Sequence, residues 1–153
     1  MKIKDRIINL ISTCFCIGNV RLLSGTLASA AAALLYFYLA QIFILYLAVL
    51  FVVVVLGLMV CRPAECNFKQ KDSPRIVIDE FAGMLIGLFA IEPRPALVVL
   101  GFFIFRALDI LKPYPAGKLE ASDGRFAVML DDIVAGIYTN ILLHVYLIIK
   151  TAY

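Results

Sequence analysis

Residues 105–114 read FRALDILKPY, an apolar helical stretch that takes on Arg106 and Asp109 in its last turns and stops at Lys112-Pro113. Two acidic pairs flank it in the chain, Asp79-Glu80 before it and Asp131-Asp132 after it, each at the edge of a long apolar run. A charge in such a position is costly, so it marks a candidate functional site. The reading of the whole chain turns on whether these charges meet at one depth.

Composition sets the class. The 153 residues are 63% hydrophobic and 16% charged, with a mean hydropathy of +0.99, whereas a soluble domain carries about a quarter charged residues. This predicts a single membrane-embedded domain over 1–153. A net charge of +3, with no basic patch interleaved with aromatics, argues against a nucleic-acid partner. The first strongly apolar run begins too late for a cleavable signal peptide. Cys14, Cys16, Cys61 and Cys66 have poor spacing for a structural zinc site and read as small apolar residues.

Working outward, residues 1–17 alternate Lys2, Lys4 and Arg6 with isoleucines and leucine, which predicts a basic amphipathic helix lying on a membrane surface. GNVRLLSGTLAS at 18–29 is a turn, with Ser24 or Thr26 as the N-cap of the first deep helix. Leu27–Cys61 is apolar over 35 residues. One helix of that length would run about 50 Å, beyond the ~30 Å hydrocarbon core, so a hairpin over 26–61 with a break near Ala40-Gln41 is expected. A polar loop at 62–75 precedes a helix at 76–91, whose Gly83 and Gly87 allow close helix approach. Glu92-Pro93-Arg94-Pro95 breaks the chain before a helix at 96–111. After a loop at 112–126, the last helix spans 127–150, and Asp132, Gly136, Thr139 and Asn140 fall on one face of it, directed to the bundle interior. The predicted fold is therefore an all-α integral membrane bundle of about four transmembrane or deep helices plus the interfacial amino-terminal helix.

An amino terminus on the cytoplasmic side places Lys2, Lys4, Arg6, Arg21, Arg62, Lys69, Lys71, Arg75, Lys112, Lys118 and Arg125 inside, and only Arg94 and Lys150 outside. That asymmetry follows the positive-inside rule. The same orientation brings Asp79, Glu80, Asp109, Asp131 and Asp132 to one depth at the cytoplasmic interface. Packed carboxylates repel unless protons or a cation intervene, and a hard cation such as Mg2+ takes oxygen ligands and often substrate phosphates. Arg106 and Lys112, spaced at three residues on either side of Asp109, supply cations for a phosphate. The alternatives are solvated helix ends and an Arg106–Asp109 structural ion pair. His144 lies far from this end, and the tyrosines suit packing or interface positions. No zinc-protease, phosphate-loop or nucleophile-elbow motif is present.

Three blocks, IVIDEFAGM at 76–84, FRALDILKPYP at 105–115 and MLDDIVAGI at 129–137, with GNVRLLSGTLAS at 18–29 as a weaker fourth, resemble the phosphatidylglycerophosphatase A family. The resemblance implies a bacterial inner-membrane enzyme that removes the terminal phosphate of phosphatidylglycerophosphate with Mg2+, its active site facing the cytoplasm. It implies Asp79, Glu80, Asp109 and Asp132 as metal ligands, and Asp79, Asp109, Asp131 and Asp132 as catalytic acids. It further implies Arg106, Lys112 and Thr26 on the substrate side. Where that family commonly shows Pro-Gly-Thr-x-Gly-Ser, this chain has Ser24-Gly25-Thr26-Leu27-Ala28-Ser29. Residues alone leave open whether water or a carboxylate attacks. They also leave two other classes, a cation or proton carrier and a non-catalytic lipid-binding subunit.

Overall fold

A computed structural model describes residues 2–20, 22–121, 124 and 126–152. Arg21 and Arg125, which the sequence assigns to the cytoplasmic side, lie outside the described residues. The described chain is helical: α1 Ile3–Ser12, a 3-10 turn at Ile17–Asn19, α2 Ser24–Leu39, α3 Phe43–Phe68, α4 Ile78–Gly87, α5 Pro95–Leu111, α6 Ala116–Ala121 and α7 Ala127–Ala152.

The shortest deep helix is the hub. α4 packs on α7, α2, α3 and α5, and Ile78, Asp79, Ala82, Gly83, Met84, Leu85 and Gly87 are all buried. Glycine permits this. A Cβ on Gly83 would lie 2.6 Å from the Asp132 carbonyl oxygen and 2.7 Å from the Phe105 ring. On the facing helix, a Cβ on Gly136 would run into the Gly83 carbonyl. α4 and α7 therefore touch backbone to backbone at a small-residue crossing. The polar stripe of α7 faces this contact. Thr139 lies against Gly87, and Asn140 Nδ2 donates to the carbonyls of Gly87 at 3.2 Å and Phe89 at 2.7 Å. The last carbonyls of a helix have no intrahelical partner, so Asn140 closes the end of α4. Tyr46 Oη donates to Leu85 O in the same last turn, and Tyr36 Oη donates to Ile91 O. Their rings meet edge to face, with centroids 5.7 Å apart.

Among the described residues two helices, α3 and α7, are long and apolar enough to cross a bilayer. Ile44, Phe51, Val52 and Met59 on α3, and Ile141, Val145, Ile148 and Ile149 on α7, point away from the protein. Apolar surface of that extent calls for a covering partner. α2 has 16 residues, α5 has 17 and α4 has 10, which gives about 24, 26 and 15 Å at 1.5 Å per residue.

Several boundaries differ from the sequence reading. α3 continues to Phe68, through what was expected to be the loop at 62–75 and past an internal Pro63. Charge marked the end of the apolar stretch, not the end of the helix. Ala64 is buried against Ile76 and Ile78. Glu65 pairs with Arg62 at 3.1 Å and accepts from the Asp72 backbone N at 2.8 Å. Asn67 Nδ2 donates to Asn9 Oδ1 at 2.8 Å and so ties α1 to α3. The helix ends at Lys69, which is left-handed. The helix expected at 76–91 is α4, shortened to Ile78–Gly87, and the loop at 112–126 contains α6. Neither Ser24 nor Thr26 caps α2. Leu23 occupies the cap position, and Ser24 Oγ donates to Pro74 O at 2.7 Å, fastening α2 to the segment that leads into α4.

Candidate active site

The α4–α7 crossing builds the site. Asp79 stands four residues before Gly83, and Asp132 four residues before Gly136. Each acid thus lies one turn from the point of closest approach and on the same side of its helix. Asp79, Glu80 and Asp132 each offer a carboxylate oxygen, and these three oxygens lie within 4.8 Å of one another. Asp79 and Asp132 are buried, and Glu80 is half-buried. Asp79 Oδ1 accepts from the Glu80 backbone N at 3.1 Å, in the first turn of α4, where the helix dipole favours a negative charge.

Two cations border the cluster. Arg106 Nη1 pairs with Asp109 Oδ2 at 2.6 Å across one turn of α5. Lys112 Nζ pairs with Asp131 Oδ2 at 2.9 Å, linking the end of α5 to α7. Lys112 itself is left-handed, at φ 45°, where the chain leaves α5. That backbone is uncommon for lysine, and it turns the chain at the site.

The structure thus gathers Asp79, Glu80 and Asp132 into one group. Asp109, also expected among the metal ligands, stands outside that trio and is engaged by Arg106. Asp131 is engaged by Lys112, so the neighbouring acids of the 131–132 pair take different partners. Thr26 lies half-buried in the first turn of α2. Beside it is Gly25, which sequence reasoning took only as part of a turn. A Cβ there would collide with Glu80 Oε1 and lie 3.2 Å from Arg106 Nη1. The signal for it was a glycine between two hydroxyl residues, read as part of a turn when it serves close approach. His144 Nδ1 is 2.9 Å from its own helix's Asn140 O, well away from the acids.

The donor set fits a hard divalent cation. All three groups are carboxylates, the class that Mg2+ prefers. Glu80 Oε2 and Asp132 Oδ1 are buried without a hydrogen-bond donor, as is Asp131 Oδ1 beside them. Buried polar atoms without partners call for an explanation, and a cation shared by the trio would supply one. Among the described residues no other group of acids, histidines or cysteines has this spacing. The four cysteines are free, and burial, reinforced by the charge of Asp79, pushes the Cys14 thiol up to about 12.

Fold and site together define a class: an all-helical protein with an apolar outer surface, whose buried carboxylate cluster and adjoining cations suit a metal ion and a phosphate. Comparison with known proteins narrows it. The phosphatidylglycerophosphatase A family model matches residues 10–147, and the chain belongs to that family. It is 33% identical over 144 residues to phosphatidylglycerophosphatase A of Haemophilus influenzae, covering 88% of this chain and 85% of that one. To phosphatidylglycerophosphatase A of Escherichia coli it is 33% identical over 132 residues, 84% of this chain and 77% of that one. A Bacteroides thetaiotaomicron protein, provisionally named a phosphatidylinositol-3-phosphatase, is 38% identical over 78 residues, 49% of each chain. No solved structure matches the chain significantly.

Proposed function

We propose that this protein hydrolyses the terminal phosphate monoester of phosphatidylglycerophosphate, giving phosphatidylglycerol and inorganic phosphate, with Mg2+, at the cytoplasmic face of a bacterial inner membrane. Family membership supports the reaction. The observation that carries the site is the convergence of Asp79, Glu80 and Asp132 beside Arg106 and Lys112.

In this reading α3 and α7 cross the bilayer, α2, α4 and α5 are packed between or beside them, and α1 lies at the interface. The excess of lysine and arginine at one end supports the cytoplasmic orientation. A phospholipid then reaches the acids by lateral diffusion, with its acyl chains in the membrane and its headgroup at the helix ends.

Asp79, Glu80 and Asp132 would hold Mg2+, which when bound supplies Lewis-acid polarisation of a phosphoryl oxygen. The guanidinium of Arg106 has five N–H donors and the ammonium of Lys112 has three. Each can hold its acid and still donate to a phosphate oxygen, neutralising charge as it builds. Asp109 and Asp131 orient these cations, and the close packing of Gly25 keeps the first turn of α2, with Thr26, against the headgroup site. Either a water deprotonated by a carboxylate attacks phosphorus, or a carboxylate attacks and water then hydrolyses the acyl phosphate; on both routes the P–O bond to the glycerol breaks and the departing glycerol oxygen takes up a proton.

Phosphate release by purified protein in detergent tests this. Phosphatidylglycerophosphate and phosphatidylinositol 3-phosphate are compared with Mg2+ and with EDTA. Release from phosphatidylglycerophosphate that EDTA and Asp132→Asn both abolish is expected. Release only from the inositol lipid would transfer the activity to that substrate. No release from either would remove the enzymatic reading.

A further inference from the structure

A second charged cavity lies outside the carboxylate site. A cleft of about 420 Å³ opens between α1, the 3-10 turn and the carboxyl end of α3, and Arg6, Arg75, Asn19, Asn67 and Thr13 line it, with Leu10 also in its wall. No carboxylate is among these lining residues. The framework is fixed. Asn67 is bonded to Asn9, Thr13 Oγ1 accepts from the Cys16 backbone N at 3.1 Å, and Gly18 is packed against the Arg75 carbonyl. The Arg75 guanidinium lies over the Phe68 ring, 5.5 Å from its centroid. A guanidinium over an aromatic ring still has N–H donors for an acceptor. Arg6 and Arg75 are exposed, so their charges face the opening.

One wall of the cleft continues into apolar surface. Leu10 is 42% exposed, and on the same face of α1 Ile7 is 52% and Ile3 78% exposed. Residues 3, 7 and 10 share one face of a helix, and such a face beside basic groups suits the headgroup boundary of a bilayer. A soluble anion would use the arginines and leave the isoleucines in water. An anionic phospholipid uses both.

We propose that this cleft is a second lipid site, separate from the carboxylate cluster, that binds the phosphodiester headgroup of an anionic phospholipid. Arg6 and Arg75 take the phosphate oxygens by charge-assisted hydrogen bonds. Asn19 donates to the remaining headgroup oxygens, and the acyl chains run past Leu10, Ile7 and Ile3.

The test reads retained lipid rather than hydrolysis. Full-length protein in detergent is given equimolar dioleoyl phosphatidylglycerol and dioleoyl phosphatidylcholine, and bound lipids are counted by native mass spectrometry. Wild type is expected to retain the anionic lipid preferentially. R6Q/R75Q is expected to lose that preference by about a hundredfold, roughly tenfold for each of the two lost charge-assisted contacts. K118Q/K150Q removes the same charge elsewhere and is expected to keep the preference. Equal loss in both variants would mean bulk charge and no cleft. Unchanged preference in R6Q/R75Q, or equal retention of phosphatidylcholine by wild type, would overturn the site. Displacement of the lipid by millimolar inorganic phosphate would make it a free-anion site and overturn the lipid assignment.

Discussion

Gly83 and Gly136 meet backbone to backbone where α4 crosses α7, each one turn past an acid of the cluster. The spacing of Asp79 and Asp132 therefore depends on two residues that carry no charge. Gly136→Ala forces a methyl group into the Gly83 carbonyl and must push the helices apart. We expect it to cost about 2 kcal/mol, as overpacking does, and to remove most activity. Gly101→Ala is the control: its Cβ would lie 3.0 Å from terminal methyls of Leu143 and Leu88, which can turn away. Thermal unfolding in detergent and phosphate release should separate the two. Equal effects would refute the crossing argument.

Asp132→Asn should part stability from activity. Three carboxylates with oxygens within 4.8 Å repel one another when no cation lies between them. Removing one charge is expected to raise stability in EDTA by about 1 kcal/mol, in the manner of a function-for-stability exchange. Mg2+ should raise the Tm of the wild type and leave that of Asp132→Asn nearly unmoved. A Mg2+-induced shift of equal size in both proteins would remove Asp132 from the ligand set.

The Lys112–Asp131 pair makes a double-mutant prediction. Asp131 is almost fully buried and Lys112 about a quarter exposed, so Lys112→Met leaves an acid without its cation. The loss should be about 2 kcal/mol, between the values for exposed and fully buried pairs. Adding Asp131→Asn should recover most of that stability. It should not recover activity if Lys112 also contacts the phosphate. Recovery of both would confine Lys112 to a structural role.

Thiol labelling reports the packing under α1. Cys16 and Cys66 are exposed, Cys61 is buried, and Cys14 is half-buried with its thiol raised to about 12. Because the thiolate is the reacting form, N-ethylmaleimide at pH 7.5 should add two groups to the folded protein and four after denaturation. Rapid modification of Cys14 in the folded state would contradict its placement, with Sγ 3.8 Å from the Val77 carbonyl oxygen.

The sequence made the chemistry legible and the geometry only in part. Acids at the edges of apolar runs declare themselves, because burying a charge is expensive wherever the chain goes. Helix interiors were equally plain, since 63% apolar content leaves few other readings. The end of α3 was misplaced because its last turns are held from outside the helix, Glu65 by the Asp72 backbone N of the following loop and Asn67 by Asn9 of α1. Such long-range partners have no local signature. The role of Gly25 was hidden for the same reason: a glycine that admits a neighbour looks in sequence like one that permits a turn.

What the sequence determined by itself was an all-helical, lipid-compatible chain with five acids and two cations at the ends of its helices. Solvation cost and helical periodicity act locally and can be read residue by residue. Only the tertiary structure decided which acids bring their oxygens within 4.8 Å of one another. Asp79, Glu80 and Asp132 are joined because glycines let α4 and α7 touch, while Asp109 and Asp131 are each drawn to a cation. That division depends on the distance between helices, which two missing side chains set and no single segment records.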